Sequence, residues 1–182
     1  VCAQKLHVIF AVDHSGFVGE DGKTHQGLFD ISLFKSIPNL VLMSPASAED
    51  LRLCFQWAIQ KKVAAVIRYP KASCPTELHQ FSRIVESGRG IFIPCSEFII
   101  ENISERELSS RKVKILLVIT GSLYSQSQTA IRSILLKNGY ADLYILRFIK
   151  PFDEKYFLDI ARKYDGFVLA EDGLSLGGIA GD

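Results

Sequence analysis

The chain of 182 residues is 48% hydrophobic and carries a formal net charge of +1, the balance of an ordinary globular polypeptide of one or two domains. Its 21 basic and 20 acidic side chains nearly cancel, and no basic cluster interleaved with aromatics sets up a nucleic-acid surface, so nucleic acid is set aside as a partner. The longest apolar runs, such as Ile115 to Ile119, fall far short of the roughly 20 residues that cross a bilayer, and no charged-then-apolar leader opens the chain, so no membrane is expected either.

From Leu6 to Val12 a short apolar run predicts a strand buried on both faces of a parallel sheet. Asp13 to Gly27 follows as a long loop rich in glycine and charge, of a length that in a compact domain is usually functional or mobile. Leu28 to Lys35 predicts a helical turn or two, and Leu40 to Met43 a second strand between two prolines, Pro38 and Pro45. Ser47 is placed as an N-cap, with Asp50 in the position of a capping-box acid, for a helix running to about Lys61. On that helix Cys54 and Trp57 are expected to pack rather than react.

Val63 to Ile67 predicts the third strand, which leaves Arg68, Tyr69, Pro70 and Lys71 just past a strand's end, where open parallel sheets tend to bind ligands. Between Ala72 and Lys112 the periodicity loosens, through Pro75, Gly88-Arg89-Gly90, Pro94 and a charged stretch from Glu101 to Lys112. A new rhythm starts with a strand over Val113 to Ile119, turns at Thr120-Gly121-Ser122, and continues as a helix to Asn138-Gly139. A strand over Leu143 to Leu146, a helix capped by Asp153 with Phe157, Ile160, Ala161 and Tyr164 on one face, and a last strand over Phe167 to Ala170 complete it.

The expected fold class is therefore α/β, two small parallel-sheet units over residues 1–71 and 113–182 joined by a connection over 72–112. Gly173 to Gly178 follows a strand but lacks dinucleotide-fingerprint spacing, and is expected to turn into a helix. The four cysteines lack CxxC spacing and nearby histidines, which reads as reduced thiols of a cytoplasmic protein. The missing initiator methionine and the final glycine-rich stretch up to Asp182 read as cut ends, so the chain is expected to be an internal fragment.

The sharpest local signal is Gly16-Phe17-Val18-Gly19-Glu20-Asp21-Gly22-Lys23-Thr24-His25-Gln26-Gly27, which sets Asp21 and His25 four residues apart in a loop. A histidine beside a carboxylate can move protons on a carbonyl or hydroxyl substrate; a solvated turn with a satisfied histidine would carry the same two residues. Asp13-His14-Ser15 holds the residue types of a hydrolase triad, but consecutive side chains do not align into a relay.

The stretch from Asp13 to Asp30 is similar to the pyrimidine-binding domain of the deoxyxylulose phosphate synthases, transketolase-like thiamine-diphosphate enzymes. Phe29-Asp30-Ile31-Ser32, Ile37-Pro38, Arg68-Tyr69-Pro70 and Arg147-Phe148-Ile149-Lys150-Pro151-Phe152-Asp153 resemble the same family. The resemblance implies a partial pyrimidine-binding domain followed by a partial C-terminal domain. It also implies a parent enzyme that joins pyruvate, with loss of carbon dioxide, to glyceraldehyde 3-phosphate, using thiamine diphosphate and magnesium, as a homodimer feeding isoprenoid and thiamine synthesis. His25 is then expected to act on protons at the reacting carbons and Asp21 to bond substrate hydroxyls. His14 and Lys71 stand where the family usually has arginines that grip the substrate phosphate. Lysine keeps the charge without the bidentate fork, and histidine is charged only when protonated.

The diphosphate and magnesium motif and the glutamate that activates the cofactor are not found in this sequence, so the chain alone is expected to bind neither group and to be inactive. The alternatives are a related thiamine enzyme with another acceptor and a non-catalytic homologue that binds a partner.

Overall fold

The computed structural model describes residues 1–99 and 103–181. Glu101, which opens the charged stretch noted above, and Asp182 lie outside them. In chain order the elements are β1 (Ile9–Val12), α1 (Asp30–Lys35), β2 (Leu40–Met43), α2 (Ala48–Lys61), β3 (Ala64–Arg68), β4 (Ile91–Ile93), α3 (Glu105–Ser109), β5 (Lys114–Thr120), α4 (Tyr124–Leu136), β6 (Tyr140–Leu146), β7 (Phe148–Lys150), α5 (Glu154–Ala161) and β8 (Gly166–Ala170). They build two four-stranded sheets, ordered β1-β3-β2-β7 and β4-β6-β5-β8.

Strand alternation puts the two faces of the first sheet into two cores. Met43, Ala65 and Ile67 pack with Cys54, Trp57 and Ala58 of α2 and with Phe148, while Leu40, Leu42, Ala64 and Val66 pack with Ile31 of α1 and with Ile149. In the second sheet, Ile119, Ala141, Leu143 and Ile145 lie against Ile131 and Leu135 of α4. Its other face joins Leu116, Val118, Tyr144 and Leu146 to Phe157, Ile160 and Ala161 of α5 and to Tyr164 just past it, the stripe read from the sequence. Each sheet is thus covered on both faces, the doubly wound arrangement that near-continuous apolar strands require.

The local signals set the helices. Ser47 accepts the Asp50 N–H at 3.2 Å and Asp153 accepts the Tyr156 N–H at 3.0 Å, and α2 stops where Lys62 turns left-handed at φ 51°. Asp50 does not close a capping box, because its carboxylate accepts instead from Ala46 N–H at 2.9 Å and from Arg147 Nε at 2.6 Å.

Several expectations are corrected. β1 is an edge strand with Phe10 40% exposed, not a strand buried on both faces, since it pairs with β3 alone. Two three-residue strands go unannounced in the sequence. β4, within the stretch of loose periodicity, pairs antiparallel with β6, and β7 pairs antiparallel with β2, so both sheets are mixed and the chain crosses between them immediately after β6. Gly173 to Gly178 forms turns, as expected, and Lys35 of α1 donates to the Gly178 carbonyl.

Candidate functional site where the sheets meet

The loop from Asp13 to Gly27 is folded by its own backbone and one amide side chain. Ser15 N–H donates to the Tyr69 carbonyl at 3.1 Å, which sets the loop's start beside the end of β3. Gly16 and Gly27 then exchange N–H···O bonds of 3.0 and 2.9 Å. Inside this ring, Gln26 accepts from Val18 N–H and donates to Val18 carbonyl, each at 2.7 Å, and also donates to the Gly22 carbonyl at 2.6 Å. The result is a closed, ordered surface loop of the kind that often carries function.

Gly27 has no alternative here, because a Cβ would fall 2.2 Å from the His14 carbonyl oxygen and 2.7 Å from Ser15 Cα. Gly27→Ala is expected to force the closing backbone pair apart at a cost of about 1–3 kcal/mol. Faster hydrogen exchange at the Gly16 amide would register it, and unchanged exchange would contradict it.

The loop gathers three of the four residues singled out in the sequence. His14 sits in the left-handed region at φ 57°, which costs a residue bearing a Cβ roughly 1–2 kcal/mol. Its ring nitrogens face two carboxylates, Nδ1 lying 3.1 Å from Asp13 and Nε2 3.0 Å from Asp21. Lys71, just past β3, reaches Asp21 Oδ1 at 2.7 Å and Oδ2 at 2.6 Å.

The hydrogen bond from Lys71 holds the Asp21 carboxyl below the usual carboxylate range, with His14 adding to it, and the same contact raises the Lys71 ammonium. A depressed carboxyl loses its contribution only as pH falls through the folded value, below about 3.9. The pair therefore stays charged on both sides across neutral pH.

His25 stands apart from this pair. Its Nδ1 lies 2.9 Å from Thr24 Oγ1, its ring centroid is 6.3 Å from that of His14, and its side chain is exposed. The carboxylate four residues before it turns to His14 and Lys71, so the Asp21–His25 hydrogen bond that the spacing suggested is replaced by those two contacts.

Sequence reasoning missed the charged network directly beneath. Arg68, read as lying past the strand, closes β3 with no exposed surface. Its Nε donates to Asp30 at 2.7 Å, and its two terminal nitrogens donate to the two oxygens of Asp172 at 2.8 and 3.0 Å. Asp172 also accepts from Thr120 at 2.6 Å and Ser122 at 2.5 Å, so Asp172, just past β8, links the end of β3 to the end of β5 and the residues after it. Burial alone would push the Asp172 carboxyl up; the bonds from Arg68, Ser122 and Thr120 outweigh it and hold it below the usual range. A charge closing the apolar run Ala64-Ala65-Val66-Ile67 was the one hint in the sequence.

Between the C-terminal ends of the two sheets opens a cleft of about 730 Å³, lined among others by Tyr69, Lys71, Ser122, Ser125, Gln126 and Asp172. This is the edge at which open α/β sheets bind ligands. Among the described residues no group of three or more His, Cys, Asp or Glu side chains could hold a metal ion, so no residue is assigned to magnesium. No helix among them is long and apolar enough to cross a membrane.

Residues 1–76 match the transketolase pyrimidine-binding domain family. Over 180 residues, 99% of this chain, the sequence is 43% identical to the 1-deoxy-D-xylulose-5-phosphate synthase of Treponema pallidum. It is 35% identical over 181 residues, 98% of the chain, to the synthase of Clostridium acetobutylicum. In each case the chain spans only 26% of the relative's length. A split-gene transketolase solved as an inactive beta4 tetramer superimposes with a TM-score of 0.77 at 22% identity, over 100% of this chain and 52% of that one. The transketolase of Campylobacter jejuni does so with a TM-score of 0.68 at 17% identity, over 90% of this chain and 24% of that one. Residues 1–76 thus match the transketolase pyrimidine-binding domain, and nearly the whole chain is similar to 1-deoxy-D-xylulose-5-phosphate synthases and shares the transketolase fold.

Proposed function

We propose that the chain forms the acceptor-binding part of an enzyme that condenses pyruvate with glyceraldehyde 3-phosphate, with decarboxylation, to 1-deoxy-D-xylulose 5-phosphate, a step toward isoprenoids. The observation that carries this reading is the 43% identity to a curated synthase sustained over 99% of the chain. The gathering of His14, Asp21 and Lys71 at a sheet edge supports it. Thiamine diphosphate, held with magnesium mainly by residues outside this chain, supplies the carbon nucleophile, and the protein's share is orientation and proton handling. The cytoplasmic homodimer and the supply of thiamine synthesis belong to the same proposal. So does the division into a pyrimidine-binding unit over 1–71, a connection over 72–112 and a C-terminal unit over 113–182.

In this reading the exposed His25 moves protons at the reacting carbons from the outer face of the loop. Asp21 bonds the hydroxyls of the acceptor, and Lys71 with His14 holds its phosphate. A second reading, a related enzyme with a different acceptor, is favoured by one feature. Neither Lys71 nor His14 offers the planar fork that binds phosphate in bidentate fashion.

In the intact enzyme, His25→Ala is expected to lower kcat by about 10²–10⁴-fold with little change in KM for the aldehyde. Lys71→Met is expected to raise KM for glyceraldehyde 3-phosphate but not for unphosphorylated glyceraldehyde. Equal effects of Lys71→Met on both aldehydes would favour the second reading, and full activity in His25→Ala would remove the role given to that residue.

A further inference from the structure

Lys71 and His14 converge on one oxygen at the sheet edge. Asp21 Oδ2 lies 2.6 Å from Lys71 Nζ and 3.0 Å from His14 Nε2, and Oδ1 is 2.7 Å from the same lysine nitrogen. His14 comes to this point through the left-handed turn of its backbone and the tether of Ser15 to Tyr69, Lys71 through the end of β3. Asp21 is brought to them from the far side of the ring that Gly16 and Gly27 close. The other charged groups around the pair are Asp13, 3.1 Å from His14 Nδ1, and Glu20, whose field also acts on Lys71. His25 lies beyond the His14 ring.

Donors aimed at a single carboxylate oxygen are equally donors for one oxygen of a phosphate, which carries more charge and makes stronger charge-assisted bonds. The carboxylate and a phosphate dianion cannot share that seat, since like charges a few ångströms apart repel.

We propose that Asp21 is an internal competitor: in the unliganded protein its carboxylate occupies the oxyanion seat made by Lys71 and His14, and a phosphate monoester enters by displacing it and freeing the tip of the loop. This rests on the reading above, in which Lys71 and His14 face the acceptor phosphate. The device gates the site by charge. A neutral aldehyde leaves Asp21 latched to Lys71, whereas a phosphorylated one releases the carboxylate to turn toward the acceptor's hydroxyls, the role assigned to it above. One exchange of partners couples recognition of the phosphate to placement of the hydroxyl-binding group.

The test is binding of inorganic phosphate, by calorimetry at fixed ionic strength, to the intact protein and to its Asp21→Asn and Lys71→Met variants. Hydrogen exchange of residues 16–27 is followed with and without the ligand. Asn keeps the shape of Asp without its charge, and Asp21 lies on a surface loop, so circular dichroism is expected to be unchanged. The expected result is binding about 10-fold or more tighter in Asp21→Asn and weaker in Lys71→Met, with phosphate speeding exchange at Asp21 and Gly22 in the unmodified protein. Phosphate held by the unmodified protein and loosened by Lys71→Met, yet bound no tighter by Asp21→Asn, overturns the competitor and leaves the phosphate seat standing. Phosphate held by none of the three proteins overturns the seat as well.

Discussion

Replacing Arg68 with methionine is expected to destabilise the fold by about 3–5 kcal/mol at pH 7, the usual cost of leaving a buried charge without its partner. The substitution strands two carboxylates at once, Asp30 and Asp172, both less than 10% exposed. It also removes the fork that ties the end of β3 to Asp172, which follows β8 and is itself held by Thr120 at the end of β5. Arg68→Lys restores the charge but reaches one carboxylate oxygen at a time, and is expected to recover only part of the loss.

The pH dependence carries the sign of the mechanism. In the unmodified protein the depressed Asp172 carboxyl contributes stability that is present above the unfolded value of about 3.9 and lost as pH falls through the folded one. Without Arg68, burial prevails and that carboxyl moves up. Lowering the pH toward 5 then protonates it and relieves the variant, so the gap between the two proteins narrows on acidification. Urea denaturation at pH 5 and pH 7 measures this, and a gap that widens toward acid would contradict the account.

Arg147→Met is expected to cost a comparable 3–5 kcal/mol, at a different joint. Arg147 is 3% exposed and Asp50 fully buried, and their 2.6 Å contact links the corner between β6 and β7 to the first turn of α2. Burial pushes the Asp50 carboxyl up against the pull of Arg147 and the Ala46 N–H. A raised folded value means that stability falls as pH rises through the interval above the unfolded value. Removing Arg147 raises it further, so the loss is expected to be larger at pH 8 than at pH 5. The double variant Asp50→Leu with Arg147→Met, which has no stranded charge, is expected to be more stable than Arg147→Met alone, and the reverse order would show that the pair acts through packing.

Much of this architecture is written locally. β2 falls where two prolines bound an apolar run, and Ser47 and Asp153 open their helices because a side-chain oxygen next to an uncapped turn has a nearby donor to satisfy. β4 and β7 are not written locally. Ile91-Phe92-Ile93 and Phe148-Ile149-Lys150 are too short to show a period, and each becomes a strand only because another strand offers an open edge.

The site divides in the same way. The loop from Asp13 to Gly27 stands out as a motif, and Gln26 and Gly27 in that motif are the residues that close it. The partners of Arg68 come from 38 and 104 positions away. No spacing rule anticipates that, and a strand-end arginine is read as facing a ligand until both carboxylates are seen. For Asp21 the nearest histidine in sequence, His25, is not its partner, because the loop turns the carboxylate back toward His14 and Lys71.

The most direct test of the proposed reaction is product analysis of the intact enzyme given pyruvate, glyceraldehyde 3-phosphate, thiamine diphosphate and magnesium. The account predicts carbon dioxide and 1-deoxy-D-xylulose 5-phosphate in equal amounts. Carbon dioxide without that product, or no turnover of pyruvate, would contradict it.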